Sequence, residues 1–146
     1  MTDQDVHGPI DYLLLQFGDG ALGSDTVDAV LDLVDRRVIH LYDVLAIRAD
    51  ADGTVAAIDL HALSPDEIGG IAALAGAQTG LLGDDDLADA GAALDPGSLG
   101  VLLVYENAWT IPFVGAALRS GGQVIASQRI PAQAVMDALD AADATH

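Results

Sequence analysis

Two short stretches, Ile10 to Phe17 and Leu99 to Glu106, are apolar at nearly every position and are bounded by glycine, proline or polar residues. Runs of this length are too short for a buried helix and show no helical period, so they read as strands covered on both faces or nearly so. The first is expected near the middle of a sheet. A sheet built around such strands must be layered with other elements, and the composition says with which side chains. Hydrophobic residues make up 51% of the chain but aromatics only 4%, so the core is built from Ala, Val, Leu and Ile rather than from large rings.

Between the two runs the patterning changes period. Val27, Val30, Leu31, Val34 and Val38 fall at helical spacing after Ser24, with Asp25, Asp28, Asp32 and Asp35 mainly on the other side, which predicts an amphipathic helix capped by Ser24. Leu41 to Ala49 and Thr54 to Leu60 flank Asp52-Gly53 and read as two antiparallel strands joined by a tight type I′ turn. Ser64-Pro65-Asp66-Glu67 has the features of a helix start and predicts a helix to about Ala77. Asp84-Asp85-Asp86 favours a second start, ending at Asp95-Pro96-Gly97. After Leu99 to Glu106 come a predicted helix from Trp109 to Arg119, a strand from Gln123 to Ile130, and a terminal helix after Pro131 with Val135, Met136 and Leu139 on one face.

Strand, helix, strand thus occurs twice, with a hairpin strand in addition. The expectation is an α+β ferredoxin-like two-layer sandwich, built from two βαβ units plus the hairpin strand, with helices on one side of the sheet. The 146 residues suffice for one domain, 1–146, with a flexible N-terminus over 1–8 and a helical insertion over 61–97.

The net charge of −18, from 23 acidic residues against five arginines and no lysine, creates a field that repels phosphate backbones and anionic lipid. Nucleic acid is therefore not an expected partner. The absence of cysteine excludes disulfides, thiolate metal sites and a cysteine nucleophile, and the absence of lysine excludes a Schiff base. No apolar run reaches the ~18 residues of a spanning helix, and the polar start does not resemble a secretory signal. No membrane span and a cytoplasmic location are expected.

Several motifs have both a chemical and a structural reading. Gly18-Asp19-Gly20-Ala21-Leu22-Gly23 matches G-x-G-x-x-G between a strand and a helix, so Gly18, Gly20 and Gly23 are candidates for holding a pyrophosphate. A plain glycine turn is preferred, because the next strand enters a hairpin and the candidate ribose acid, Asp43, lies near the wrong end of its strand. Asp50-Ala51-Asp52-Gly53 is partly like a calcium loop, but Arg48 stands where the first ligand should be and a hairpin turn accounts for the same residues. His7, His40, His61 and His146 lack metal-site spacing, and no G-x-S-x-G surrounds a serine. No metal site and no cofactor are expected.

The most specific segment is Tyr105-Glu106-Asn107-Ala108-Trp109, where an apolar strand ends in a carboxylate and the next helix opens with the single Trp. Tyr105, Glu106, Trp109, Arg119 and Arg129 are the candidate ligand-binding residues, with Glu106 as base or acceptor and an arginine as its partner. The structural alternative makes Trp109 a core anchor and pairs Glu106 with an arginine or a helix start. No catalytic residue is assigned, since one carboxylate without a positioned partner is not a mechanism.

Through this segment, and through Gly8-Pro9-Ile10-Asp11, Asp50-Ala51-Asp52-Gly53, Leu94-Asp95-Pro96-Gly97-Ser98 and Gly121-Gly122 to Arg129-Ile130-Pro131, the chain resembles a family of uncharacterised actinobacterial proteins, a domain of unknown function. That family is related to a broader one labelled as membrane proteins. The resemblance covers nearly the whole chain and implies no activity or cofactor. The shorter apolar stretch Ile68 to Gly83, rich in Gly69, Gly70, Ala73, Gly76 and Gly80, makes membrane insertion doubtful and a homo-oligomer contact the better expectation. The function expected is a non-catalytic, self-associating domain with a scaffold or stress-related role. The alternative is a small-molecule-binding protein or ferredoxin-like enzyme with a pocket near Tyr105, Glu106 and Trp109.

Overall fold

A computed structural model describes residues 7–18, 22–126, 130 and 132–144. Four strands, β1 (Ile10–Phe17), β2 (His40–Ala49), β3 (Val55–Ile58) and β4 (Leu99–Glu106), form one sheet in the order β1-β4-β2-β3, with every neighbouring pair antiparallel. The α+β class is as expected, but this order differs from that of a ferredoxin-like sandwich. There the hairpin strand would lie between β1 and β2, whereas here it lies outside β2 and β4 takes the centre. β4 has the two-sided apolarity that a central strand requires: Leu99, Val101 and Leu103 enter one core cluster while Leu102 enters the other. β3 is four residues long with Ala56 and Ala57 exposed, which suits an edge.

The expected second strand–helix–strand unit is not completed among the described residues. After β4 the chain passes through a 3-10 turn, Ala108–Thr110, into α3 (Ile111–Arg119), but Gln123 to Ala126 form no strand. Residues 127–129 lie outside the described residues. β1, read from its apolar run as central, is an edge strand among the described residues, with Ile10, Tyr12 and Leu13 exposed.

Helical layers cover both faces of the sheet, not one as expected. On one face α1 (Ser24–Asp35) and the 3-10 segment Glu67–Ala77 bury Leu22, Val27, Ile71 and Leu74 against Val44, Ala46, Val101 and Leu103. On the other, α2 (Asp84–Ala93) packs Ala90, followed by Leu94, against Leu45, Ile47, Ala49 and Leu102. Fully covered residues such as Val44, Ile47, Leu60, Ile71 and Leu99 each contribute about 1.5–3 kcal/mol through removal of apolar surface from water.

Local chemistry explains where the elements begin and end. Gly23, in extended conformation, is the N-cap of α1 and Ser24 is its first helical residue. The helix stops before Val38 because Arg37 turns left-handed at φ 60°, while the N–H groups of Arg37 and Val38 donate to the carbonyls of Val34 and Leu33. The β2–β3 turn is not type I′, since Ala51 and Asp52 keep negative φ and Gly53 alone is left-handed, at φ 86°. The N–H of Gly53 donates to the carbonyl of Asp50, and that of Thr54 to Asp52 Oδ1, so the aspartates are turn residues.

The helix expected from Ser64 is interrupted. Ser64 N–H does donate to Glu67 Oε1, but Ile68, Gly69 and Gly70 are all left-handed, at φ 49°, 64° and 82°. A Cβ at Gly69 would lie 2.2 Å from the carbonyl oxygen of Leu22, so the glycine lets this segment lie directly against the chain entering α1. Gly69→Ala is expected to cost about 2 kcal/mol, from steric overlap and the positive φ together. Denaturant titration checks this; a loss below a few tenths of a kcal/mol would mean that the two backbones separate easily.

Candidate functional site

The segment singled out in the sequence, Tyr105 to Trp109, sits where the central strand leaves the sheet. β1 and β2 flank β4, so Glu106 has Ile10 opposite it on one side and His40 on the other. The Glu106 side chain is 2% exposed. Its Oε2 accepts from the Gly8 N–H at 2.8 Å and lies 3.3 Å from His7 Nδ1, while its Oε1 accepts from His40 Nδ1 at 3.2 Å. Tyr42 supplies a further hydrogen bond. β2 carries an irregularity between Leu41 and Asp43 that leaves Tyr42 outside the β2–β4 register, and such a bulge can re-aim a side chain.

Burial alone would raise the Glu106 pKa, but the bonds from Gly8, Tyr42, His40 and His7 together outweigh it and hold the carboxyl below its ordinary value. For Tyr42, burial comes first and the Glu106 charge and hydrogen bond add to it, pushing the phenol up. An ionised carboxylate can only accept, so each imidazole presents an Nδ1–H to it. The arrangement fixes two imidazoles and ties the N-terminal segment to the sheet.

Gly8 makes this closure possible. It is buried, and a Cβ there would lie 2.2 Å from the Asn107 carbonyl and 2.5 Å from Thr110 Oγ1. Asn107 continues the clasp, its backbone N–H and Nδ2 both donating to the Pro9 carbonyl and its Nδ2 also to Asp11 Oδ2. The residues placed in the flexible N-terminus thus include two, His7 and Gly8, that meet the central strand.

The candidate residues are only partly brought together. Tyr105 is half-buried against the α1-side core. Trp109, expected as a core anchor, is 57% exposed, with its ring centroid 6.1 Å from that of Phe113. Its backbone N–H donates to the Val38 carbonyl and its Nε1–H to Asn107 Oδ1 at 3.4 Å. Histidines, not arginines, are the basic groups at Glu106; Arg119 ends α3, and Arg129 lies outside the described residues. Sequence reasoning missed His7, His40 and Tyr42, whose signal was their position at strand starts beside a strand-ending glutamate.

The glycine motif has a different setting from the one that dinucleotide binding requires. β1 is an edge strand of an antiparallel sheet, and a Cβ at Gly18 or Gly23 would meet open space; Gly20 lies outside the described residues. Asp43, weighed above as a ribose acid, is buried and accepts backbone N–H bonds from Val44, Thr79 and Leu82 at 2.7–3.0 Å. Among the described residues no group of three or more His, Asp or Glu is placed to hold a metal ion, and no helix is long and apolar enough to cross a membrane.

Fold and site together define an α+β domain with a four-stranded antiparallel sheet and a carboxylate clasp at its central strand, and they assign no reaction. Residues 6–145 match the model of a family of unknown function, DUF6325, and the chain belongs to that family. No curated protein and no solved structure matches it.

Proposed function

We propose that this chain is a non-catalytic domain that acts by self-association. The observation that carries the reading is the state of β1. Among the described residues it is an edge strand, and it holds Ile10, Tyr12 and Leu13 at 57%, 61% and 44% exposure. Exposed apolar edge strands are templates for a further chain unless something covers them. Trp109 and Phe113, and Val135, Met136 and Leu139 of α4 (Ala132–Ala144), add further exposed apolar surface. Apolar area of this kind on a folded domain marks an interaction surface.

A small-molecule site or enzyme centred on Tyr105, Glu106 and Trp109 draws less support. Both oxygens of Glu106 are already engaged by donors of the chain itself, and Trp109 faces outward. Light scattering over a range of protein and salt concentrations tests the proposal. A defined oligomer is expected, and a species that stays monomeric at high concentration would overturn it.

A further inference from the structure

The charges of this chain are unevenly distributed. Residues 107–136 contain no acidic side chain and two arginines, whereas all 23 acids and the other three arginines lie elsewhere. This acid-free stretch includes α3 with its exposed Phe113, the adjoining exposed Trp109, and Arg119 at the end of the helix. On the acidic body an open groove of about 510 Å³ runs between β1, β4 and α2. Its floor is apolar, with Tyr12, Leu14, Leu102 and Val104, and Asp86 and Asp89 of α2 lie along it.

We propose that this groove receives the Trp109–Arg119 segment of a second copy of the chain. The inference rests on the self-association reading and names the two surfaces that meet. Shape and charge both favour this occupant: an apolar trough beside carboxylates suits a helix that presents aromatic side chains and carries no acid. The other exposed apolar helix, α4, carries Asp137, Asp140 and Asp143, which would face Asp86 and Asp89 with the same sign. Within one chain the segment is tethered elsewhere, since the Trp109 N–H is bonded to the Val38 carbonyl and Phe113 is 58% exposed. Each copy offers both a groove and a helix, so the contact is reciprocal in a two-fold dimer or propagates around a ring.

The chain has no cysteine, which allows a direct test. Full-length chains carrying Asp89→Cys are mixed under oxidising conditions with full-length, size-tagged chains carrying Phe113→Cys, so any disulfide between the two is intermolecular. Both substitutions are at exposed positions. Cross-linking of the mixture is expected to be at least tenfold faster than that of either chain with itself. The double variant Asp86→Arg with Asp89→Arg should weaken association at low salt by about tenfold, with the difference shrinking as salt screens the charges. If light scattering shows the unmodified protein to be an oligomer but the mixture cross-links no faster than either chain alone, self-association stands and this pairing of surfaces falls. If the unmodified protein is monomeric, both fall.

Discussion

Replacing Asp43 by alanine is expected to lower the stability of the domain by about 4 kcal/mol, a loss large enough to move the denaturation midpoint well outside error. The carboxylate is 2% exposed and accepts from Val44 N–H at 2.8 Å, Thr79 N–H at 3.0 Å and Leu82 N–H at 2.7 Å. A hydrogen bond to a charged group contributes roughly 1.5–3 kcal/mol, and three lost together would exceed the expected figure. The expected loss is smaller because the Thr79 and Leu82 bonds are only partly buried, so water can replace the carboxylate there. Val44 is fully buried in the sheet and its N–H has no such recourse. Asp43→Asn should retain part of the stabilisation, since one oxygen can still accept from Val44 and Thr79 while the amide nitrogen opposes Leu82 N–H. Equilibrium unfolding of the three proteins gives the order expected: native, Asn, then Ala. Amide exchange at Leu82 should accelerate in the Ala variant, because the 79–82 segment loses its main tie to β2. A loss under about 1 kcal/mol for alanine would show that the turn is held by its other bonds, notably Thr79 Oγ1 to the Tyr42 carbonyl at 2.6 Å.

The same residue shows where the sequence was legible and where it was not. Local period and punctuation placed β1, α1, the β2–β3 hairpin, α2 and β4 within a few residues, because those signals act over neighbouring positions. The apolar run of β4 correctly implies burial on both faces. An equally apolar run in β1 belongs to an edge among the described residues, because an apolar strand is central only if other strands pair with both its sides, and pairing is decided by distant segments. Sheet order was lost for the same reason: nothing local in Val55 to Ile58 says on which side of β2 it folds. The candidate site was legible in its acceptor and not in its donors. Glu106 stood out at a strand end, but His40 and His7 are separated from it by 66 and 99 positions. A buried carboxylate needs donors, and sequence alone pointed to arginine rather than to histidines brought in by strand pairing. Asp43 was weighed as the ribose acid of the glycine motif and set aside for its place in the strand, but its role as an acceptor for three backbone amides was not legible, because Thr79 and Leu82 lie 36 and 39 positions away.

Glu106→Gln is expected to cost about 3 kcal/mol near neutral pH, and the size of that cost should depend on acidity in a defined direction. The substitution keeps the volume and replaces one acceptor oxygen by an N–H₂ donor. Every group around it is a donor in the native arrangement: the Gly8 N–H, the two imidazole Nδ1–H groups and Tyr42. An imidazole can change tautomer and a phenol can rotate to accept, but a backbone N–H cannot, so at least one bond is lost or set against another donor. Loss of a hydrogen bond to a charged acceptor costs roughly 1.5–3 kcal/mol, and the buried Gly8 N–H bears most of it, since the His7 and His40 side chains are 65% and 52% exposed. The sign of the pH effect follows from the carboxyl of the folded protein lying below its ordinary value of 4.5. Above about 4.5 the carboxyl is ionised in both folded and unfolded chains and the full contribution of the clasp is present. As pH falls below that value the unfolded chain binds the proton more readily than the folded one, and the contribution is lost as the folded group titrates. The glutamine variant has no such proton to bind. Unfolding free energies of the two proteins measured from neutral to acidic pH should therefore converge on acidification, the native protein losing the stability that the variant lacks throughout. A gap that stays constant through the acid range would show that Glu106 is held by packing rather than by its charge, and the clasp between the N-terminal segment and β4 would have to be attributed to the Asn107 bonds to Pro9 and Asp11.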